Sequence, residues 1–208
     1  MQGQQNGMNS SMQTSPTMPA TMRHGGHEVF DVHEVLSTLI STLDQYLLFQ
    51  EQIQCPELKG ILQRQHQFIT QTYNTAVDCF TTGQDPTVPT QSYKMLQNND
   101  VIYGLKPAQP QKPAQSVAEI NEQTISTSAL GLVKSAATLM AMTSLEMTNP
   151  VVRRVIADSV PNFIEMSYEL FLYMNKKSYY QVPQLTMQDM QMMVTSYTQS
   201  QQQMQMPN

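Results

Sequence analysis

Histidines and carboxylates at helical spacing are the residues of this chain that could hold a metal, and its two cysteines are the ones that could form covalent bonds. A two-metal centre in a helical bundle needs a Glu on each of two helices and Glu-x-x-His on each of the other two, all pointing inward. His66 stands three residues after Gln63, a neutral amide where that chemistry needs a carboxylate. The positions 94 residues further on are Ala157 and Val160, which ligate nothing. Glu28, His33, Glu34, Glu119, Glu122, Glu146, Glu165 and Glu169 do not complete the set. Glu28 and Glu122 coincide under the same offset, and both read as helix-start acids that suit the macrodipole. His66 lies in the row Leu62, His66, Ile69, Tyr73 and reads as a packing residue. His24 and His27 flank two glycines and promise only weak, adventitious metal binding. There is no Gly-rich phosphate loop, no Cys-x-x-Cys pair, and no Ser or Cys with a base beside it in sequence. The expectation is a non-enzyme with no catalytic, cofactor-binding or metal residues.

Cys55 and Cys79 fall at opposite ends of one predicted helix, about 36 Å apart at 1.5 Å per residue. A disulfide needs Cα atoms within roughly 7 Å. An intramolecular bridge is therefore excluded. Two reduced apolar residues, or a crosslink between molecules, both remain open. Tyr93, Tyr103, Tyr179, Tyr180 and Tyr197 lie outside the helix cores and read as exposable. With Lys106 and Lys112 of a Gln-rich linker, they are further candidates for covalent joining.

The elements that must position these residues repeat. Cys55-Pro56-Glu57-Leu58-Lys59-Gly60-Ile61-Leu62 returns 94 residues later as Asn149-Pro150-Val151-Val152-Arg153-Arg154-Val155-Ile156. Each is a Pro at a helix start, a base three residues on and an apolar pair one turn further. Pro suits the first helical turn because its missing N–H would be unpaired there. Two helical hairpins in sequence predict an all-α, ferritin-like four-helix bundle with one long crossover.

The first hairpin spans 27–82. Val29, Val32, Leu36, Leu39, Leu43 and Tyr46 form its first stripe, widened by Ile40, Leu47 and Leu48. Leu58, Leu62, Ile69, Ala76 and Phe80 form its second. The linker 83–116 carries five prolines, with a short helical turn expected at 92–96. The second hairpin spans 117–180, with Ile120, Ile125, Leu132, Leu139 and Met142 inward, then Val152, Val155, Ile156, Phe163, Ile164, Leu170, Tyr173 and Met174. Pro161 predicts a kink. A short helix at 186–198 follows. Residues 1–26 and 201–208 read as disordered Gln/Met-rich tails.

The chain has 208 residues, a net charge of −5 and a pI near 5.3. No basic stripe exists to neutralise phosphates, which argues against nucleic acid as a partner. No apolar run reads as long enough to span a bilayer, and the N-terminus has no hydrophobic segment of signal-peptide type. Charged residues make up 13%, against about a quarter in ordinary proteins. Charge spacing normally keeps molecules apart, so this surface suits a protein that self-associates.

The Thr148-Asn149-Pro150-x-x-Arg153-Arg154 start, the Glu169-Leu170-Phe171-x-Tyr173-Met174-Asn175 end and the following Tyr179-Tyr180-Gln181-Val182-Pro183 resemble the spore coat protein F family of endospore-forming bacteria. The first hairpin looks like a more divergent copy. The resemblance implies a ferritin-like bundle without catalytic residues, made in the mother-cell cytoplasm and deposited on the spore coat among other coat proteins. The competing expectation is a ferritin-like di-metal oxidoreductase of manganese catalase or ferroxidase type.

Overall fold

Pro56 and Pro150 each stand at the first position of a 27-residue helix. The computed structural model describes residues 19–200, so the expected tails at 1–18 and 201–208 lie outside the described residues. Its helices are α1 (Gly26–Gln52), α2 (Pro56–Thr82), α3 (Glu122–Ser144), α4 (Pro150–Lys176) and α5 (Met187–Val194). α1 packs on α2 and α3 packs on α4, making two hairpins; α1 against α3 and α2 against α4 close them into one helical bundle. Among the described residues, strand-like pairing is limited to isolated bridges from Tyr103 and Gly104 to Val182.

The repeat seen in the prolines extends through the core. Val32, Val35, Leu39, Thr42 and Tyr46 are buried on α1, and the residues 94 positions later, Ser126, Ala129, Val133, Ala136 and Met140, are buried on α3. On α2 the buried set is Leu58, Ile61, Leu62, Gln65, Ile69, Thr72, Thr75, Ala76 and Cys79. Every one has a buried counterpart on α4, from Val152 to Tyr173. Each fully buried large apolar side chain contributes about 1.5–3 kcal/mol. Such agreement of register is a stronger mark of duplication than the eight-residue match at the prolines.

Several expectations change. Ile40, Leu47 and Leu48 are exposed, because α1 has neighbours on only two sides and its buried stripe is narrow. Met142 and Ile164 also face outward. On α2 the buried polar residue is Gln65; its neighbour His66 is half-buried. α3 begins at Glu122 and not at 117, since the Asn121 side chain accepts the Thr124 N–H at 3.1 Å and fixes the cap there. Val117–Glu119 forms a separate 3-10 turn. By length and composition α3 is long and apolar enough to cross a membrane; here its buried stripe packs on α1 and α4.

Residues 19–25, grouped with a disordered tail by composition, are folded against the end of α2. Ala20–Met22 makes a 3-10 turn. Its Ala20 carbonyl stands where a side chain on Gly83 would begin. Gly83, at φ 65°, closes α2 in the left-handed conformation that glycine adopts without strain.

Residues 92–96 are not helical; side chains of α4 hold this stretch in place. Asn162 accepts the Tyr93 N–H at 2.8 Å and donates to the Gln91 carbonyl at 2.9 Å. Further along, Asn175 accepts from Ile102 N–H and donates to the Ile102 carbonyl. α4 runs unbroken through Pro161, which is exposed. α5 is capped by Thr186, whose Oγ1 accepts the Asp189 N–H at 3.1 Å, and none of its residues is buried.

Candidate functional site

The turn that starts α4 leaves backbone N–H groups without helical partners. Glu28, from the first turn of α1, supplies them. Its Oε2 accepts the Thr148 N–H at 2.7 Å and the Asn149 N–H at 2.9 Å, with the Thr148 hydroxyl donating as well. Its Oε1 lies 3.0 Å from His24 Nδ1, while His24 Nε2 donates to the Phe80 carbonyl at 2.9 Å. The carboxylate is 1% exposed. Burial opposes its charge, but the bonds from Thr148, His24 and the two amides together hold its carboxyl below the usual range.

The same device recurs at the other turn. Glu122, from the first turn of α3, accepts the Gln54 N–H at 3.2 Å and the Cys55 N–H at 3.3 Å with Oε1. Thr148 and Asn149 are the counterparts of Gln54 and Cys55 under the 94-residue offset. Each hairpin thus completes the turn of the other. The coincidence of the two glutamates was visible in the sequence; their crossing between hairpins was not.

The third cluster has no counterpart. Glu169, 0% exposed, lies on α4 among α2 and the long connection. Arg64 Nη2 donates to its Oε1 at 2.6 Å and the Leu96 N–H donates to the same oxygen at 3.2 Å. Oε2 accepts from Gln65 Nε2 at 3.1 Å and from the Tyr93 hydroxyl. Gln65 also donates to the Met166 carbonyl and accepts from Tyr46 of α1 at 2.8 Å. Burial, then the hydrogen bond to Glu169 and its charge, pushes the Tyr93 phenol well up. Burial does the same to Tyr46, so both stay donors at physiological pH. Each carboxylate oxygen has two donors; α2, the connection and α4 meet on one charge, α1 joins through Tyr46 and Gln65, and Arg64 Nε is buried without a hydrogen-bond partner.

The acids and histidines singled out from sequence are dispersed. Glu28 and Glu122 sit at turns and Glu169 in the core, while Glu34, Glu119 and Glu146 are exposed. His33 stands edge-on to Phe80 at 6.2 Å. His24 is held by Glu28 and Phe80, which corrects its assignment to a flexible tail. His27 pairs with Asp31 at 2.9 Å. Gln63 is exposed, and Ala157 and Val160 are half-buried. Among the described residues, no three His, Cys, Asp or Glu side chains gather where a metal could be held. Tyr93, expected to be exposable, is buried, and Tyr179 is half-buried; Tyr103, Tyr180 and Tyr197 are exposed.

Sequence reasoning missed Arg64, Gln65 and Tyr93. A signal existed for two partners: Gln65 interrupts the row Leu58, Ile61, Leu62, Ile69, and Glu169 interrupts Met166, Leu170, Tyr173. A polar residue in an apolar row marks a buried pair. Tyr93 gave none, since its burial depends on where the connection lies.

Comparison with known proteins adds a family. Residues 121–183 match the model of the Coat F domain, which begins on the residue that caps α3 and takes in the second hairpin. A protein of Bacillus subtilis (strain 168) named Spore coat protein F-like protein YhcQ is 47% identical over 180 residues, covering 86% of this chain and 83% of its own length. No solved structure matches the chain.

Proposed function

This chain belongs to the spore coat protein F-like family, and we propose that it is a structural, non-catalytic component of the bacterial spore coat. On this reading the two hairpins form a single ferritin-like four-helix bundle joined by one long crossover. It packs with other coat proteins and with copies of itself. The observation that carries the non-catalytic part is the state of the three buried or crossing carboxylates. Glu28, Glu122 and Glu169 are all occupied in joining segments of the same chain. Glu28 and Glu169 hold partners on both carboxylate oxygens, and Glu122 is committed through Oε1 to the Gln54 and Cys55 amides, so the two buried carboxylates have no oxygen left free for a substrate or metal. The low share of charged residues, 13%, further suits a molecule that works within an assembly.

The test has two arms. A fluorescent fusion in a sporulating Bacillus should collect around the developing spore, and the protein should resist detergent extraction from purified spores. Purified full-length protein should contain less than a stoichiometric amount of iron or manganese. A fusion that stays diffuse through sporulation would remove the coat assignment. Two tightly held metal ions per chain would replace the structural reading with the oxidoreductase one.

A further inference from the structure

The segment 19–25 crosses the ends of three helices, and His24 sits where they meet. Ala20–Met22 lies against the end of α2. The Arg23 carbonyl accepts from Asn149 Nδ2 at 3.3 Å, and the Gly25 N–H donates to Thr148 Oγ1 at 3.0 Å, both at the start of α4. The His24 side chain is 7% exposed. Its ring packs on that of Phe80, with centroids 4.9 Å apart.

Both nitrogens of that ring face oxygens. Nδ1 is 3.0 Å from Glu28 Oε1, and Nε2 is 2.9 Å from the Phe80 carbonyl oxygen. A neutral imidazole has one donor nitrogen and one acceptor; only the imidazolium has two donors. A carbonyl can only accept. An ionised carboxylate can only accept too, and the donors on Glu28 Oε2, the Thr148 and Asn149 amides and the Thr148 hydroxyl, favour the ionised form. The two ring contacts are therefore satisfied together only when His24 carries both protons. The place also suits a cation: Phe80 stands in the last turn of α2, where carbonyls lack helical partners and gather the negative end of the helix dipole.

The charges around the ring are few and mostly engaged elsewhere. Glu28 is its ion-pair partner. On α1, His27 pairs with Asp31 at 2.9 Å, and His33 meets the same Phe80 ring edge-on at 6.2 Å. Arg23 precedes His24 in the chain. On α2, Asp78 is taken up by the Thr87 amide and hydroxyl. The start of α4 presents Thr148 and Asn149 around Glu28, and neither titrates near neutrality.

We propose that His24 is a proton-operated clasp: as an imidazolium it fastens residues 19–25 across the ends of α1, α2 and α4, and on losing a proton it lets that segment lift. Whichever nitrogen gives its proton to a base in solvent, a lone pair then confronts an oxygen that can only accept. One hydrogen bond and the charge pair are lost together. The clasp is closed while the ring is protonated and opens as pH rises through the range in which histidines change charge, about 5 to 8. Opening bares Glu28 and the last carbonyls of α2, so pH decides which surface this end of the bundle offers to a neighbour. The proposal stands apart from the coat assignment, since it uses only the contacts of His24.

The experiment follows the full-length chain by NMR and by limited proteolysis over a range of pH. In mildly acidic buffer both His24 ring nitrogens should carry protons, and the Gly25 amide signal should shift with the same midpoint as the ring. Trypsin cuts after Arg23, inside the clasped segment. That cleavage, relative to a synthetic peptide of residues 19–28 in the same tube, should rise about tenfold as pH goes from mildly acidic to mildly alkaline, the effect of losing one charged hydrogen bond. His24→Gln, which cannot carry the charge, should be cut quickly at every pH, with a flat ratio. A neutral ring in mildly acidic buffer, or a wild-type cleavage ratio that does not change with pH, overturns the proposal. Both readings need only the wild-type chain, so they decide even if His24→Gln does not fold.

Discussion

The two hairpins share a buried register but not its chemistry. Position for position, the core of α2 is the core of α4. Where α4 has Glu169, however, α2 has Thr75; where α2 has Arg64 and Gln65, α4 has Asp158 and Ser159; and Tyr46 of α1 answers to Met140 of α3. Burial pattern tolerates such changes because it constrains size and polarity on average, whereas a charge in the core requires its own named partners. The shared positions therefore define the bundle, and the unshared ones define how the single crossover is fastened to it. The fastening lies on one side only because the connection exists only once.

Breaking the asymmetric cluster should give the largest effect. Glu169→Ala leaves Arg64, Gln65, Tyr93 and the Leu96 amide without their acceptor and is expected to cost about 3–5 kcal/mol in chemical denaturation. The counterpart substitution, Thr75→Ala, removes one bond to the Val88 carbonyl and should cost about 1 kcal/mol. Equal losses would mean that the cluster is no more than ordinary packing.

The crossing glutamates come next. Glu28→Ala strands buried amides and should cost about 2–3 kcal/mol, while Glu122→Ala exposes its amides to water and should cost under about 1 kcal/mol. Acid titration sharpens this contrast. The folded carboxyl of Glu28 lies below the ordinary glutamate value of 4.5. Its contribution is therefore complete above that pH and is lost as the pH falls below it through the lower folded value. Wild type should lose more stability than Glu28→Gln over that interval.

The caps give a smaller contrast. Asn149→Ala should cost about 1 kcal/mol. Cys55→Asn, which makes the two turns alike, should stabilise by about 1 kcal/mol, since Cys55 makes no side-chain cap hydrogen bond. The smallest effect is expected at His66, whose ring makes no hydrogen bond among the described residues: His66→Leu should change stability by no more than about 0.5 kcal/mol.

Much of this was legible in the residues. Pro56 and Pro150 marked both second helices to the residue, because a proline at the first helical position is a local signal. The burial of Val32, Leu39 and Tyr46 followed from spacing. Ile40, Leu47 and Leu48 did not, since an apolar stripe does not tell how many neighbours cover it. Asn121 as a cap was overlooked in favour of the apolar Val117. The site was readable only as oddities: an acid in an apolar row at Glu169, and two glutamates in equivalent places. Their partners across the bundle are 67 to 121 residues away in the chain, beyond the reach of any local pattern.

The crossing of Glu28 and Glu122 also sets a timetable for synthesis. A chain growing from its N-terminus has made all of α1 and α2 before Glu122 exists to close their turn. Glu28 waits longer still, until Asn149 emerges 121 residues behind it. The connection leaves the ribosome ahead of every α4 side chain that will hold it, with Asn162, Glu169 and Asn175 arriving 69 to 76 residues later. The first hairpin is thus born with open amides, and its turn is finished only when the start of α3 has been made. A nascent chain halted before residue 122 should remain sensitive to protease across residues 53–55, and one released beyond residue 176 should not.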